Sequence, residues 1–496
     1  MTSILLRRSR LDPQQPLQDL VVAGGRISVR GDGEAGSDHT EVIDIAGRFV
    51  LPGLWDRHVH FDQWAQVSAR VDLSSAGSAS EAARAVATHV AGRAEVPVDV
   101  PIVGYGFRDA LWPDRPRREV LDAACAAIPV VLISGDLHSA WLNTAALRRF
   151  GHTDNPTGLL REEAAMQVIG EVGRADDGGV DAWSLAASRA AAARGVVGIV
   201  DMERPWSLDA WRRRIDGGNR SLRVVSAVWP ERFADAVAQR LHTGDEVDGS
   251  DGLLAVGPLK IITDGSLNTR TAYCHDPYPS EAGTTEPRGI LLIAVDELSH
   301  LMARAKDAGL GCAVHAIGDA ANAFALQAFG RTGARGSIEH AQLLDDADVA
   351  RFADLGLIAS VQPEHALDDR DVADHHWAGR TRRAFPLRSL LDAGATLSFG
   401  SDAPVAPLDP WRAIAAAVHR TRDERPSWHA EQEITIAEAL GASMPPGRGS
   451  IAIRDGDTAD LVILDGDPFT ADPRALRTLP VAATMIAGSW THRSGL

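Results

Sequence analysis

Two histidines, one residue apart, close the apolar run "LPGLWDRHVH" at residues 51 to 60. Side chains at i and i+2 of a strand leave the same face, so His58 and His60 point together. Further along, "GCAVHA" ends near His315, "SIEHAQ" holds His340, and "FGSDAP" holds Asp402. One histidine at a strand end is ordinarily a hydrogen-bonded structural residue. Five such groups on four strand ends are better explained as one site where imidazoles and a carboxylate meet a divalent ion of the zinc type. The expected cofactor is therefore Zn2+, as one or two ions per chain.

Lys260 interrupts "GPLKIITDGS", a run that reads as a strand buried on both faces. A lone ammonium there is costly, so the residue needs a partner or a task. Either it pairs with Asp264 or another acid, or CO2 converts it to a carbamate that bridges two metals as a carboxylate does. Other candidates divide between structure and substrate binding. His138 in "GDLHSAW" is structural or directed at the site, and Arg270 braces a loop or binds substrate. Tyr105, Trp112 and Trp141 line a pocket or fill a core. His365 in "QPEHALDD" is a weaker candidate near the site, and His375-His376 reads as solvated surface.

The elements that must hold these groups follow from periodicity. In "VDELSHLMARAKDAGLGCAVHA", apolar residues fall at helical spacing, Gly309 occupies a left-handed helix terminus, and a short strand follows. Gly356 and Gly394 mark repeats of that unit. Eight apolar runs alternate with helices: "FVLPGLWD", "VVGIVDM", "RVVSAV", "PLKIIT", "GCAVHA", "GSIEHA", "GLIASVQP" and "TLSFGSD". The expectation is an α/β fold, a distorted (β/α)8 barrel, with chemistry at the C-terminal strand ends. Barrel residues would be 51–66 and 186–429. Residues 67–185 are predicted to form an inserted α/β subdomain capping the active site. Hairpin-like patterns around Ala23-Gly24-Gly25 and within "EVIDIAGRFVLPG", with similar runs near the other end, predict a composite β-sandwich from 1–50 and 430–496.

Composition narrows the setting. The formal charge is 50 − 67 = −17, which argues against nucleic acid or an anionic membrane as partner. Three cysteines at unrelated spacings suit a reducing compartment. The start "MTSILLRRSR" is too short in apolar residues for a signal peptide, and no run suggests a membrane span. A cytoplasmic protein acting on a small molecule is expected, and whether it pairs as a homodimer stays open.

The ordered set "PGLWDRHVH", "LKIITDGSLNTRTA", "VHAIGD", "SIEHAQ" and "GSDAPV", closed by "GDTADLVILDGDP", resembles the amidohydrolase superfamily across essentially the whole chain. "GYGFRDALW", "GDLHSAWLNTAAL" and "PTGLLREE" are similar to the branch that includes N-substituted formamide deformylase. The resemblance implies metal ligands at His58, His60, Lys260 as carbamate, His315, His340 and Asp402. It favours His138 as a substrate-binding residue, and Arg270, Tyr105 and Trp112 are expected beside it. Asn268-Thr269, Ala320 and Leu137 depart from the family pattern beside these motifs. A bound ion would lower the pKa of water and polarise a carbonyl, with Asp402 as general base. The expected reaction is hydrolysis of a C–N bond in an amide, N-substituted formamide or related N-acyl compound. An esterase or phosphoesterase on the same centre, or a non-catalytic binding or assembly protein of this fold, are the alternatives.

Overall fold

The computed structural model describes residues 3–33, 40–73, 75–92, 100–107, 109, 112–134, 139–172, 177–204, 206–279, 286–445 and 447–496. The chain divides into two compact units, Met1–Trp64 with Ser188–Leu496, and Ala65–Ala187.

The first unit holds eight parallel strands paired in chain order: β1 Leu54–Val59, β2 Val196–Asp201, β3 Arg223–Val228, β4 Leu254–Ile262, β5 Cys312–Ala316, β6 Gly336–His340, β7 Ile358–Val361 and β8 Thr396–Phe399. Asp402 N donates to His58 O at 2.7 Å and His60 N to Ala403 O at 2.9 Å, which brings the chain after β8 back against β1. The sheet is thus a nearly closed barrel, built from the eight predicted runs. Gly309, Gly356 and Gly394 all take positive φ (76°, 63° and 82°) just after the helices Val295–Asp307, Asp346–Asp354 and Leu387–Asp392. That backbone is nearly free of penalty only for glycine, so these residues end the helices and return the chain to the sheet.

One predicted strand proves to be two. Within "FVLPGLWD", Phe49–Pro52 belongs to a different sheet from β1. Gly53 stands at the crossing, where a Cβ would lie 2.2 Å from the Val197 side chain. Only a residue without a side chain passes there, and the sandwich therefore runs to Pro52.

Two four-stranded sheets make that sandwich. One has the order Arg26–Gly31, Gln18–Ala23, Ser3–Ser9, Glu41–Asp44; the other runs Ser489–Arg493, Val481–Ile486, Leu461–Leu464, Phe49–Pro52. The hairpin at Ala23-Gly24-Gly25 closes with Ala23 paired to Arg26 and both glycines at positive φ, the primed-turn geometry that matches strand twist. The second expected hairpin does not form. Glu41–Asp44 pairs in parallel with the first strand, whereas Phe49–Pro52 pairs with Leu461–Leu464. The turn between them changes sheet, because each run carries its own apolar face to the shared core. Ile4, Leu6, Leu20 and Val22 meet Val50, Leu461, Ile463 and Met485 there. Each such burial contributes roughly 1.5–3 kcal/mol.

The second unit carries a five-stranded sheet in the order Leu159–Arg161, Ser139–Leu142, Val130–Ser134, Ile102–Phe107, Val71–Asp72. Asn143 ties it together from a fully buried position. Its side chain accepts from Val130 N and Ala146 N and donates to Cys125 O and Ile128 O, so every bond it can make to the backbone is made. The three cysteines are free. Among the described residues, no helix is long and apolar enough to cross a membrane.

Candidate active site

β1 delivers three side chains by simple alternation. Asp56, His58 and His60 share a face, and Asp56 accepts from Ser401 N (3.0 Å) and His58 N (3.1 Å), fixing the ends of β1 and β8 together. Burial lifts the Asp56 carboxyl to about 6 against these hydrogen bonds. His58 Nδ1 lies 2.6 Å from Glu339 Oε2, with both side chains 1% exposed. A carboxylate can only accept, so Nδ1 carries the hydrogen and Nε2 keeps its lone pair. That nitrogen is 3.3 Å from Lys260 Nζ and 3.6 Å from Asp402 Oδ1. His60 Nε2 lies 3.5 Å from the same oxygen.

Across the barrel, His340 Nδ1 is 2.8 Å from Gln362 Oε1, which leaves its Nε2 unprotonated as well. Its ring centre is 4.9 Å from that of His58 and 4.5 Å from that of His315. His365 brings Nε2 to 4.0 Å from Asp402 Oδ2. Two groups result, His58–His60–Asp402 and His340–His365–Asp402, each with ligand atoms within 4.8 Å of one another. Asp402 belongs to both. His340 and Asp402 sit at φ 75° and 55°, backbone that costs about 1–3 kcal/mol for a non-glycine residue and is held by its surroundings.

Burial dominates the electrostatics. It holds His60 and His365 down to about 4, and His58 and His340 well below the usual histidine value, with the Lys260 charge adding for His58, His60 and His340. The imidazoles are neutral near pH 7, the form that binds metal. Burial also raises Asp402 to about 7, opposed by Lys260. Neutral imidazoles grouped around one carboxylate are a donor set suited to a zinc-type ion.

Lys260 faces the charges of Glu339 and Asp402 rather than that of Asp264. The residue is 2% exposed, and among the described residues no ion pair joins it to Asp264. Four residues along a strand cover about 13 Å, beyond the reach of that pair. Asp264 instead accepts from Tyr273 N (2.8 Å), Ile317 N (3.1 Å) and Gly318 N (2.9 Å), which fastens the loops after β4 and β5. His315 Nε2 is 3.4 Å from this carboxylate and 3.3 Å from Gly265 O. It therefore sits beside His340 but outside both groups.

A cavity of about 550 Å³ opens over these residues, with Gln63, Trp229, Leu267, Ile317, Asp369 and Val405 on its walls. Asn268 lines it too; Arg270, at φ 59° in the same turn, does not. His138 and Leu137 lie outside the described residues. Trp112 packs on Phe107 and Trp141 in the second unit and donates to Ala76 O, which is a core role. Tyr105 belongs to that unit as well and is 42% exposed. His365, ranked low from sequence, stands in the centre of the site. Glu339, Gln362 and Asp56 were not singled out. Alternation along β1 could have found Asp56. Glu339 precedes His340 directly, where strand alternation predicts opposite faces, and His340 has a left-handed backbone at φ 75°.

Known proteins resemble this chain over nearly its full length. A putative amidohydrolase, YtcJ, from Bacillus subtilis is 27% identical, covering 95% of this chain and 94% of that one. An N-substituted formamide deformylase from Arthrobacter pascens is 27% identical over the same shares. The crystal structure of an uncharacterized metal-dependent hydrolase from Pyrococcus horikoshii superposes with a TM-score of 0.72 at 26% identity, covering 95% of this chain and 99% of that one. Residues 41–492 match the amidohydrolase family, and the chain belongs to it.

Proposed function

We propose that this protein is a metal-dependent hydrolase of C–N bonds in small amides, N-substituted formamides or related N-acyl compounds. The observation that carries the reading is Asp402, a buried carboxylate shared by two histidine groups at the floor of a cavity. His58, His60 and Asp402, and His340, His365 and Asp402 with His315 alongside, would hold one or two divalent ions, which when bound would activate a water and polarise a carbonyl. Asp402 takes the proton from the attacking water and returns it to the leaving nitrogen. Glu339 and Gln362 hold the His58 and His340 rings with their Nε2 lone pairs toward the site. Lys260 Nζ adds to CO2, forming an N–C bond and losing a proton, and the resulting carbamate bridges the two groups. Trp229, Leu267 and Ile317 give the cavity an apolar wall for the substituent on nitrogen.

Similarity to a deformylase of N-substituted formamides favours C–N over C–O bonds. The substrate is a small soluble molecule and the setting cytoplasmic. Metal analysis with a panel of N-substituted formamides, N-acyl amino acids, cyclic amides, esters and phosphoesters tests this. Turnover of a C–N substrate, lost on chelation and restored by Zn2+, is expected. Turnover confined to esters or phosphoesters overturns it.

A further inference from the structure

A second cavity, about 630 Å³, opens beside the beginnings of β1 and β3, away from the strand ends that carry the histidines. Its walls come from the sandwich, from Trp55 of β1, from Arg223 of β3, from Pro445 and from the segment 447–458. The chemistry is opposite to that of the active site. Arg26, Arg223, Arg448 and Arg454 face two carboxylates, in a chain where acids outnumber bases 67 to 50.

The carboxylates are already committed. Asp460 takes Arg223 through two bonds of 2.6 and 3.1 Å, and Asp457 takes Arg448 at 2.8 Å. Among the described residues, the Arg26 side chain donates to Gly456 O (3.2 Å) and the Thr458 hydroxyl (3.3 Å). Among the described residues, neither Arg26 nor Arg454 is in an ion pair. One further observation points to a ligand. Gly449 has an ordinary φ, and a Cβ there would meet nothing within 4 Å, so neither backbone nor packing demands glycine. The missing side chain leaves bare backbone on the cavity.

We propose that this cavity binds the oxyanion of a small molecule, a phosphate or carboxylate group. Arg26 and Arg454 offer guanidinium forks that match such oxygens, and Gly449 lets the group approach the main chain. Binding here needs neither metal nor Asp402, so it stands or falls apart from the proposed hydrolysis.

The test is equilibrium dialysis of the full chain against inorganic phosphate and, separately, citrate. Because phosphate also coordinates metals, the chelated His60→Asn protein is run in parallel. Saturable binding of at least one anion, at one site per chain and retained in chelated His60→Asn, is expected. Arg26→Gln with Arg454→Gln should weaken it about tenfold or more, with the circular dichroism unchanged. Arg454→Gln alone, on an exposed side chain, should weaken it in the same direction and serves if the double variant misfolds. Preference for phosphate or for citrate then names the oxyanion. Absence of saturable binding for both anions overturns the proposal. So does binding indifferent to the arginine variants, or binding that disappears with His60→Asn and chelation.

Discussion

β1 serves two cavities that follow different electrostatic rules. At its C-terminal end, His58 and His60 are kept neutral by burial and aimed by Glu339 and by the backbone. Near its start, Trp55 borders a cavity set with guanidinium groups, two of them paired to Asp457 and Asp460. Five residues of strand, about 16 Å, separate Trp55 from His60. The upper cavity depends on groups whose lone pairs are free, and the lower one on guanidinium charges. A strand that serves both can do so only if each end is fixed by its own partners. The two ends should therefore respond to substitution independently.

The largest effects belong to the upper end. Asp402→Asn removes the carboxylate charge that, among the described residues, both histidine groups share, and should lower kcat/KM by about 100- to 10,000-fold. Lys260→Ala should bring bound metal toward one ion per chain and remove most activity, with partial rescue by short carboxylic acids. Full metal content and full activity in Lys260→Ala would sink the bridging carbamate. Neither change should alter anion binding at the lower cavity. If either does, the independence of the two ends is lost.

Glu339→Gln is the next step down. A glutamine keeps the size of the side chain but weakens the 2.6 Å contact that aims the His58 ring. Metal affinity should fall about 10- to 100-fold, read by competitive titration with a chromophoric chelator. Unchanged affinity would mean that the ring is held by packing alone.

Why one end was legible in the sequence and the other was not follows from the same comparison. Histidines and aspartate at the ends of apolar runs announce a site, because a buried strand has little other use for them. The eight runs, the helix-ending glycines and the Ala23–Arg26 turn were readable because each depends on local pattern. The split at Gly53 was hidden, since it depends on Val197, far away in sequence. His365 was underrated because it lies on the short helix Pro363–Asp368 rather than at a strand end. The lower cavity was invisible: nothing in the spacing of Arg26, Arg223 and Arg454 joins them, and the fold gathers them.

Gly198→Ala probes the strand between its ends. A Cβ at Gly198 would stand 2.2 to 2.6 Å from the Trp55 ring, so the indole must shift. Overpacking of this kind costs about 1–3 kcal/mol, and thermal denaturation should show it. Metal content should stay at the wild-type value while anion binding at the lower cavity changes. Loss of metal in Gly198→Ala would show that Trp55 and His58 move together, and the two cavities would have to be treated as one coupled device.

The smallest effect calibrates the others, because it touches neither cavity. Glu438 caps the helix Ile436–Ala442 through Thr435 and pairs with Arg388, with Nη2 to Oε2 at 2.5 Å. The Arg388 hydrogen bond holds its carboxyl down to about 2, below the ordinary 4.5. A folded-state value that is depressed means stability fully present above the unfolded value and lost as pH falls through the folded one. The window therefore runs from about 4.5 down to about 2. The pair is a third exposed at the glutamate, so solvent screening keeps its contribution to about 1 kcal/mol or less. Glu438→Gln should lower the melting temperature slightly at pH 7, and the difference from wild type should narrow as the pH drops below 4.5. A difference that widens on acidification would reverse the sign and show that Glu438 is protonated more readily in the folded chain than in the unfolded one. Metal content and anion binding should be those of the wild type throughout, which fixes how much stability can be lost before either cavity notices.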